Sequence, residues 1–184
     1  VITLNSQYAE LETLLGAGSG NQGELKISGR LSRSVNKSIA LDIKAKDYPL
    51  HELLGSELGR IIQGSCTSDS GTLSYDYKKA SAAGLSFVLP FTSTDINLTE
   101  LPMLAALKNL TGNTDYMRPI FRNSRGTIAR TSEGVSLNNI AWISNSLLTI
   151  RGNIHVAADK KLSGTIDLGV PASAFTNDPP ATFQ

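Results

Sequence analysis

The chain has 184 residues, of which 40% are hydrophobic and 18% are charged, and its formal net charge is +1. This composition excludes a disordered chain, and it disfavours a dedicated nucleic-acid binder because acidic residues nearly balance the scattered lysines and arginines. The single cysteine excludes an internal disulfide, and no stretch reaches the ~20 apolar residues of a membrane span.

The first predicted elements are a short helix, a glycine-rich loop and two strands. Asn5 or Ser6 would cap a helix over Gln7–Leu15, which carries three leucines on one face. The loop of residues 16–23 lacks the Gly-Lys-Ser/Thr ending of a phosphate-binding loop, so we interpret it as a connection. Apolar residues then alternate with polar ones over 25–31 and 39–45, and this period predicts two strands.

Two further helical segments are predicted in the middle of the chain. Residues 49–62 contain a short helix interrupted at Gly55. Apolar residues recur at helical spacing over Leu101–Leu110, where Thr99 is a candidate cap and Gly112 lies just beyond the end.

Strands are predicted between and around these helices. Alternation favours strands near Ile61–Ser68, Thr72–Lys78 and Leu85–Phe91. Pro90 has no backbone N–H to donate, so the third of these is expected to be an edge strand or to be bulged at that proline.

The last third of the chain gives the clearest pattern, with four alternating runs joined by short turns. Short turns require antiparallel neighbours. The predicted strands are Ile120–Thr131, Val135–Ser144, Leu147–Ala157 and Leu162–Val170. We therefore predict a mainly β fold: a curved antiparallel sheet or meander, either a half-open groove or a sandwich, with two or three short helices. Residues 1–175 are expected to form one domain, with a tail over 176–184.

The layout of residues 47–175 resembles the C-terminal region of the AsmA-like proteins of Gram-negative and related bacteria. The motifs that carry the resemblance are LPMLAAL at 101–107, RGTI at 125–128, EGVSLNNI at 133–140, LTIRGNIHV at 148–156 and LSGTIDLGVP at 162–171. The resemblance implies a periplasmic domain that acts in lipid transport and outer-membrane biogenesis. It also implies an inner-membrane anchor in the full-length protein. We expect that anchor outside this chain, which we interpret as a fragment because it opens Val1-Ile2-Thr3.

In AsmA-like proteins the apolar inner face of the curved sheet is what carries lipid. The corresponding candidates for contact with acyl chains are Leu148, Ile150, Ile154, Val156, Leu162, Ile166 and Leu168. Gly126, Gly152 and Gly164 could permit strong curvature there. The alternative is a dry core, in which the short helices cover the same face. Arg118, Arg122 and Arg130 are candidates for contact with anionic headgroups or a partner, or else they are ordinary solvated charges.

No catalytic, metal or cofactor site is predicted. Cys66 lacks any cysteine-protease signature, so we interpret it as a structural thiol and not as a nucleophile served by His51 or His155. Two histidines without ligand spacing do not indicate zinc. The expected partners are phospholipid acyl chains or envelope proteins, with no nucleic acid. The alternative function is a protein-binding adhesin or assembly module of the β-sandwich type.

Overall fold

The computed structural model describes residues 2–4, 8–16, 23–32, 38–76, 84–99, 101–145 and 147–175. Within them the prediction of a mainly β, antiparallel fold with few short helices is confirmed. The helices are α1 (Leu50–Ile61) and α2 (Pro102–Thr111), with 3₁₀ turns at Thr114–Met117 and Ala172–Ala174. The strands are β1 (Ile2–Leu4), β2 (Tyr8–Gly16), β3 (Glu24–Ser32), β4 (Ser38–Pro49), β5 (Ile62–Gln63), β6 (Ser65–Ser68), β7 (Thr72–Asp76), β8 (Leu85–Ser93), β9 (Ile96–Leu98), β10 (Ile120–Phe121), β11 (Asn123–Thr131), β12 (Gly134–Ser144), β13 (Leu148–Ala157) and β14 (Leu162–Gly169).

Eleven strands form one antiparallel sheet, and three short strands form a second. The large sheet follows the order β1-β2-β3-β4-β6-β8-β11-β12-β13-β14, and β7 pairs with β4 and β8, as β6 does. The small sheet has the order β10-β9-β5. The four predicted strands of the last third are confirmed as consecutive antiparallel neighbours, except that the first is divided into β10 and β11.

The predicted N-terminal helix is wrong. β2 instead pairs with β3 over nine residues. Arg30 Nε lies 2.8 Å from Glu10 Oε1, and Lys26 forms an ion pair with Glu12 across the same two strands. A helix this short is marginal in water unless one face is packed, and Leu14 is 60% exposed. Pairing with β3 therefore outweighs the helical spacing of the leucines.

Some predictions lie outside the described residues. They are the candidate caps Asn5 and Ser6, the start of the predicted helix at Gln7, most of the glycine-rich loop, residues 77–78 and the tail over 176–184.

Pro90 was expected to lie in an edge strand or at a bulge, but it lies in a strand with neighbours on both sides. β8 pairs with β11 without a register shift on one side, and with β6 and β7 on the other. Thr92 of β8 pairs with Thr67 of β6, whereas Val88 pairs with Thr72 of β7. Pro90 therefore lies opposite the turn between β6 and β7, where a ladder hydrogen bond is not required.

Both central helices form where they were predicted. Gly55 interrupts α1 with φ 74°, and Gly112 ends α2 in the left-handed conformation. The expected cap at Thr99 is not used: Leu101 occupies the cap position, and the Thr99 hydroxyl donates to the carbonyl oxygen of Arg60. One apolar core joins the two helices, the small sheet and one face of the large sheet.

Candidate functional site

An apolar cavity of about 340 Å³ lies between the helical layer and the face of β12, β13 and β14. This volume falls at the lower end of the about 300–1,000 Å³ range of small-molecule sites. The wall on the side of the helices, called the helical wall below, takes residues from α1, β5, β9 and the start of α2: Leu58, Ile61, Ile62, Leu98, Leu101 and Met103. The sheet wall consists of Ile140, Trp142, Ile150, Ile154, Leu162, Ser163, Gly164 and Ile166. Apart from Ser163, every one of these residues is apolar or glycine.

The cavity floor contains a gap in the side chains of the sheet. In the pairing of β13 with β14, Gly152 lies opposite Ile166 and Gly164 lies opposite Ile154. Both glycines have φ 143°. A Cβ atom at Gly164 would meet the carbonyl oxygen of Asn153, so no larger residue fits this backbone. Two positions on an otherwise apolar face are therefore left without side chains: Gly164 lines the hollow, and Gly152 lies beside it, opposite the lining residue Ile166.

A bulge in β12 brings the other part of the sheet wall to the cavity. The register shifts between Leu137 and Ile140, where Asn139 has φ 53°. The Asn139 N–H donates to Asn153 Oδ1 at 2.9 Å, which ties the bulge to β13. Because of this extra residue, Ile140 and Trp142 share the buried face with Leu137, although their positions in the sequence differ in parity.

The seven residues predicted to contact lipid divide into three groups. Leu148 is only 2% exposed, and Val156 is also buried, so both belong to the closed core. Ile150, Ile154, Leu162 and Ile166 line the cavity, and Leu162 is 65% exposed on the last strand of the sheet. Leu168 is 38% exposed and lies outside the cavity lining. The predicted face is therefore covered at one part and open at another.

The sequence interpretation missed the helical wall of the cavity. Leu58 and Met103 belong to helices that were predicted, whereas Leu98 belongs to β9, which was not predicted. Periodicity indicates only that such residues face inward. It does not indicate which of them meet β14 across a gap. No pattern in the sequence would have assigned them to a cavity.

Trp142, which lines the cavity, carries one unusual polar atom. Its indole Nε1 is buried and, within the described part of the chain, is the one such side-chain atom without a hydrogen-bond partner. Its ring makes a tilted contact with Phe121, with 5.8 Å between the two ring centroids. A buried donor without an acceptor costs about 1–3 kcal/mol, so Nε1 lowers the stability of this part of the fold.

The three predicted basic residues do not form one cluster. Arg118 and Arg122 are exposed and line a second depression at one end of the large sheet. Arg130 lies opposite Val135 and Phe87, near the far end of β11. Eight residues of extended strand separate it from Arg122, a distance of roughly 26 Å.

The groups that could have supported catalysis lie apart from the cavity. Cys66 is buried in the core, and burial raises the pKa of its thiol to about 12, with a further contribution from Asp95. His155 Nδ1 lies 2.8 Å from Ser136 Oγ on the neighbouring strand, and His51 lies 3.5 Å from a carboxylate oxygen of Glu52. Across the ranges that the structure describes, no cluster of three metal-ligating side chains occurs. The helices of those ranges are all too short or too polar to cross a membrane.

Comparison of the chain with protein-family models, with curated proteins and with solved structures finds no match.

Proposed function

We propose that this chain is a noncatalytic domain of the bacterial cell envelope that holds one lipid acyl chain in its apolar cavity. The observation that carries the proposal is an apolar hollow of about 340 Å³ beside a closed core. Apolar side chains that face water gain about 25 cal/mol per Å² when a ligand covers them. An acyl chain would cover the lining of this hollow, and the volume suits a single chain better than a whole phospholipid.

The exposed Leu162 supports a route into this cavity. Its side chain lies both at the lining and at the surface, on a strand that pairs on one side only among the described residues. A polar headgroup could stay in water there while its chain enters the hollow. The resemblance to AsmA-like proteins adds the wider proposal: a periplasmic domain, anchored to the inner membrane in the full-length protein, that handles lipid or scaffolds outer-membrane assembly.

The single tryptophan of the chain makes this proposal directly testable, because Trp142 forms part of the cavity wall. Delipidated protein is titrated with a fatty acid that carries bromine on its acyl chain, and tryptophan fluorescence is recorded. Bromine quenches on contact, so saturable quenching is expected. Unbrominated fatty acid should compete it away. Absence of quenching at concentrations that saturate ordinary fatty-acid carriers would contradict the proposal.

A pair of charged substitutions separates the open cavity from a dry core. Ile154→Asp places a carboxylate at the lining, whereas Ile143→Asp places one on the exposed, opposite face of β12. In an open cavity, Ile154→Asp should fold and lose the quenching, and Ile143→Asp should retain both. If Ile154→Asp alone loses its cooperative melt, the position is a dry core and the cavity is not a lipid site.

The second candidate function is a protein-binding assembly module, and one observation favours it. β14 pairs only with β13 among the described strands, and most of its residues are exposed. An open strand of this kind can accept a strand from another protein. An assembly module would bind a partner without co-purifying lipid, so mass spectrometry of lipids in native preparations distinguishes the two functions.

A further inference from the structure

A second depression, of about 700 Å³, lies at one end of the large sheet and differs in character from the apolar cavity. It is bounded by the 3₁₀ turn after α2, by the end of β12 with the residues that follow it, and by the segment after β14. Ser144 belongs to this depression and Trp142 to the cavity. Two residues of strand, about 7 Å, therefore separate the two sites along β12.

The depression combines positive charge with exposed apolar side chains. Arg118 and Arg122 both line it, and neither forms an ion pair with any residue that the structure describes. Met117 and Ile120 line it as well, and they are 42% and 51% exposed. Asp115 is the one carboxylate among the lining residues that the structure describes. The local charge is therefore positive although the whole chain is nearly neutral.

This combination matches the surface of an anionic bilayer. Arginine guanidinium groups pair with lipid phosphates, and apolar side chains beside them enter the boundary between headgroups and acyl chains. An acidic protein surface would satisfy the arginines, but it would leave Met117 and Ile120 without apolar contacts. Each basic residue near an anionic membrane strengthens binding about fivefold.

We infer that this end of the sheet docks on an anionic bilayer, with Arg118 and Arg122 at the level of the phosphates and Met117 and Ile120 inserted beside them. The inference goes beyond the proposed function, because a domain can dock on a membrane without holding lipid in a cavity. Docking in this orientation places the apolar cavity close to the membrane surface.

The test is co-sedimentation of the whole chain with vesicles of phosphatidylcholine alone and of three parts phosphatidylcholine to one part phosphatidylglycerol. The parent chain should bind the anionic vesicles and release them as salt is raised. The double variant Arg118→Glu, Arg122→Glu should bind at least about twentyfold more weakly, since two cations of about fivefold each are lost.

The matched control is Arg125→Glu, Arg130→Glu, which makes the same change in net charge at exposed arginines of β11. Its vesicle binding should fall less than about threefold. A second pair tests insertion: Met117→Ser, Ile120→Ser should weaken binding, and Val88→Ser, Ile143→Ser should not, although both of the latter side chains are exposed. Circular dichroism melts confirm that all four variants fold.

Three outcomes would overturn the inference. The first is an equal loss of vesicle binding in the two double arginine variants, and the second is equal binding of the parent chain to neutral and anionic vesicles. The third is that the Arg118→Glu, Arg122→Glu variant loses binding to a soluble polyglutamate peptide but keeps its binding to vesicles. The last outcome would assign the depression to an acidic protein partner. Vesicle binding that survives in Ile154→Asp, together with fatty-acid quenching that survives in the Arg118/Arg122 double variant, would show that docking and acyl binding are separate properties. Either one can then fail alone.

Discussion

Leu137 and Trp142 lie on the same buried face of β12, although five positions separate them in the sequence. In a regular strand an odd separation places two side chains on opposite faces. The bulge at Asn138 and Asn139 supplies the extra residue, and Asn139 accommodates it with φ 53°. The sheet wall of the cavity depends on this irregularity.

The bulge predicts a specific order of stabilities at position 139. Asn139→Gly should stay within about 1 kcal/mol of the parent, because glycine adopts positive φ readily. Asn139→Val should lose about 1–3 kcal/mol, because a β-branched residue is strained in that region. Urea denaturation of the three proteins measures the difference. Equal stability of the glycine and valine variants would show that residue 139 does not hold the bulge.

The division of the predicted lipid-facing residues gives a second prediction. Leu148→Ala should lower the free energy of unfolding by about 2–5 kcal/mol, because Leu148 is 2% exposed and its removal leaves a cavity in the core. Leu162→Ala should lower it by no more than about 0.5 kcal/mol, because Leu162 is 65% exposed. Thermal and urea denaturation check both values, and losses of similar size would contradict a face that is closed at one part and open at another.

The glycines of the cavity floor give a third prediction with an internal control. Gly164→Ala should destabilise the chain by more than about 2 kcal/mol, because the new methyl group would meet the Asn153 carbonyl oxygen at a φ that alanine rarely adopts. Gly169→Ala lies on the same strand, with its nearest contact at 3.5 Å, and should change stability by less than about 1 kcal/mol. Amide exchange over β13 and β14 should rise in the first variant only.

The alternating patterns of the sequence predict the last third of the fold well, because each run there pairs with its neighbour in the chain through a short turn. They fail at Tyr8–Gly16, where pairing with β3 decides the structure of a segment whose leucines have helical spacing. They also fail at Pro90, since only the tertiary arrangement places the β6–β7 turn opposite it.

Four of the eight sheet-wall residues of the candidate site were predicted, because they follow from alternation in β13 and β14, and none of the helical wall was. The helical wall depends on how α1 and β9 pack across a gap, which a local pattern does not encode. Ile140 and Trp142 depend on the bulge, because unbroken alternation would place their side chains on the face opposite to that of Leu137.

The buried thiol gives a fourth prediction, on alkaline stability. Burial raises the pKa of Cys66 to about 12 from an ordinary value of 9.0, so the folded state holds its proton more tightly than the unfolded state. This contribution is fully present below about pH 9 and is lost as the pH rises toward 12. In that window the parent should lose up to about 1.4 kcal/mol per pH unit from this group.

The variant Cys66→Ala should lack that component. The difference in unfolding free energy between the parent and Cys66→Ala should therefore shrink as the pH rises. Both proteins also contain buried tyrosines with raised pKa values, so both also lose stability at alkaline pH through those groups. Urea denaturation of the pair at several alkaline pH values measures the difference. A difference that stays constant with pH would mean that the thiol titrates normally in the folded chain.

The glycine backbone beneath the cavity bears on how the hollow can change through mutation. At an ordinary alanine or serine in a strand, a single substitution to leucine can fill a gap, and the sequence drifts toward a tighter core. At Gly152 and Gly164 every other amino acid meets the carbonyl oxygen of the neighbouring strand before it can reach the hollow. The floor is therefore closed to gradual filling. Only substitutions in the walls can reshape the cavity. The glycine backbone therefore fixes its depth, and the side chains of the walls set its width.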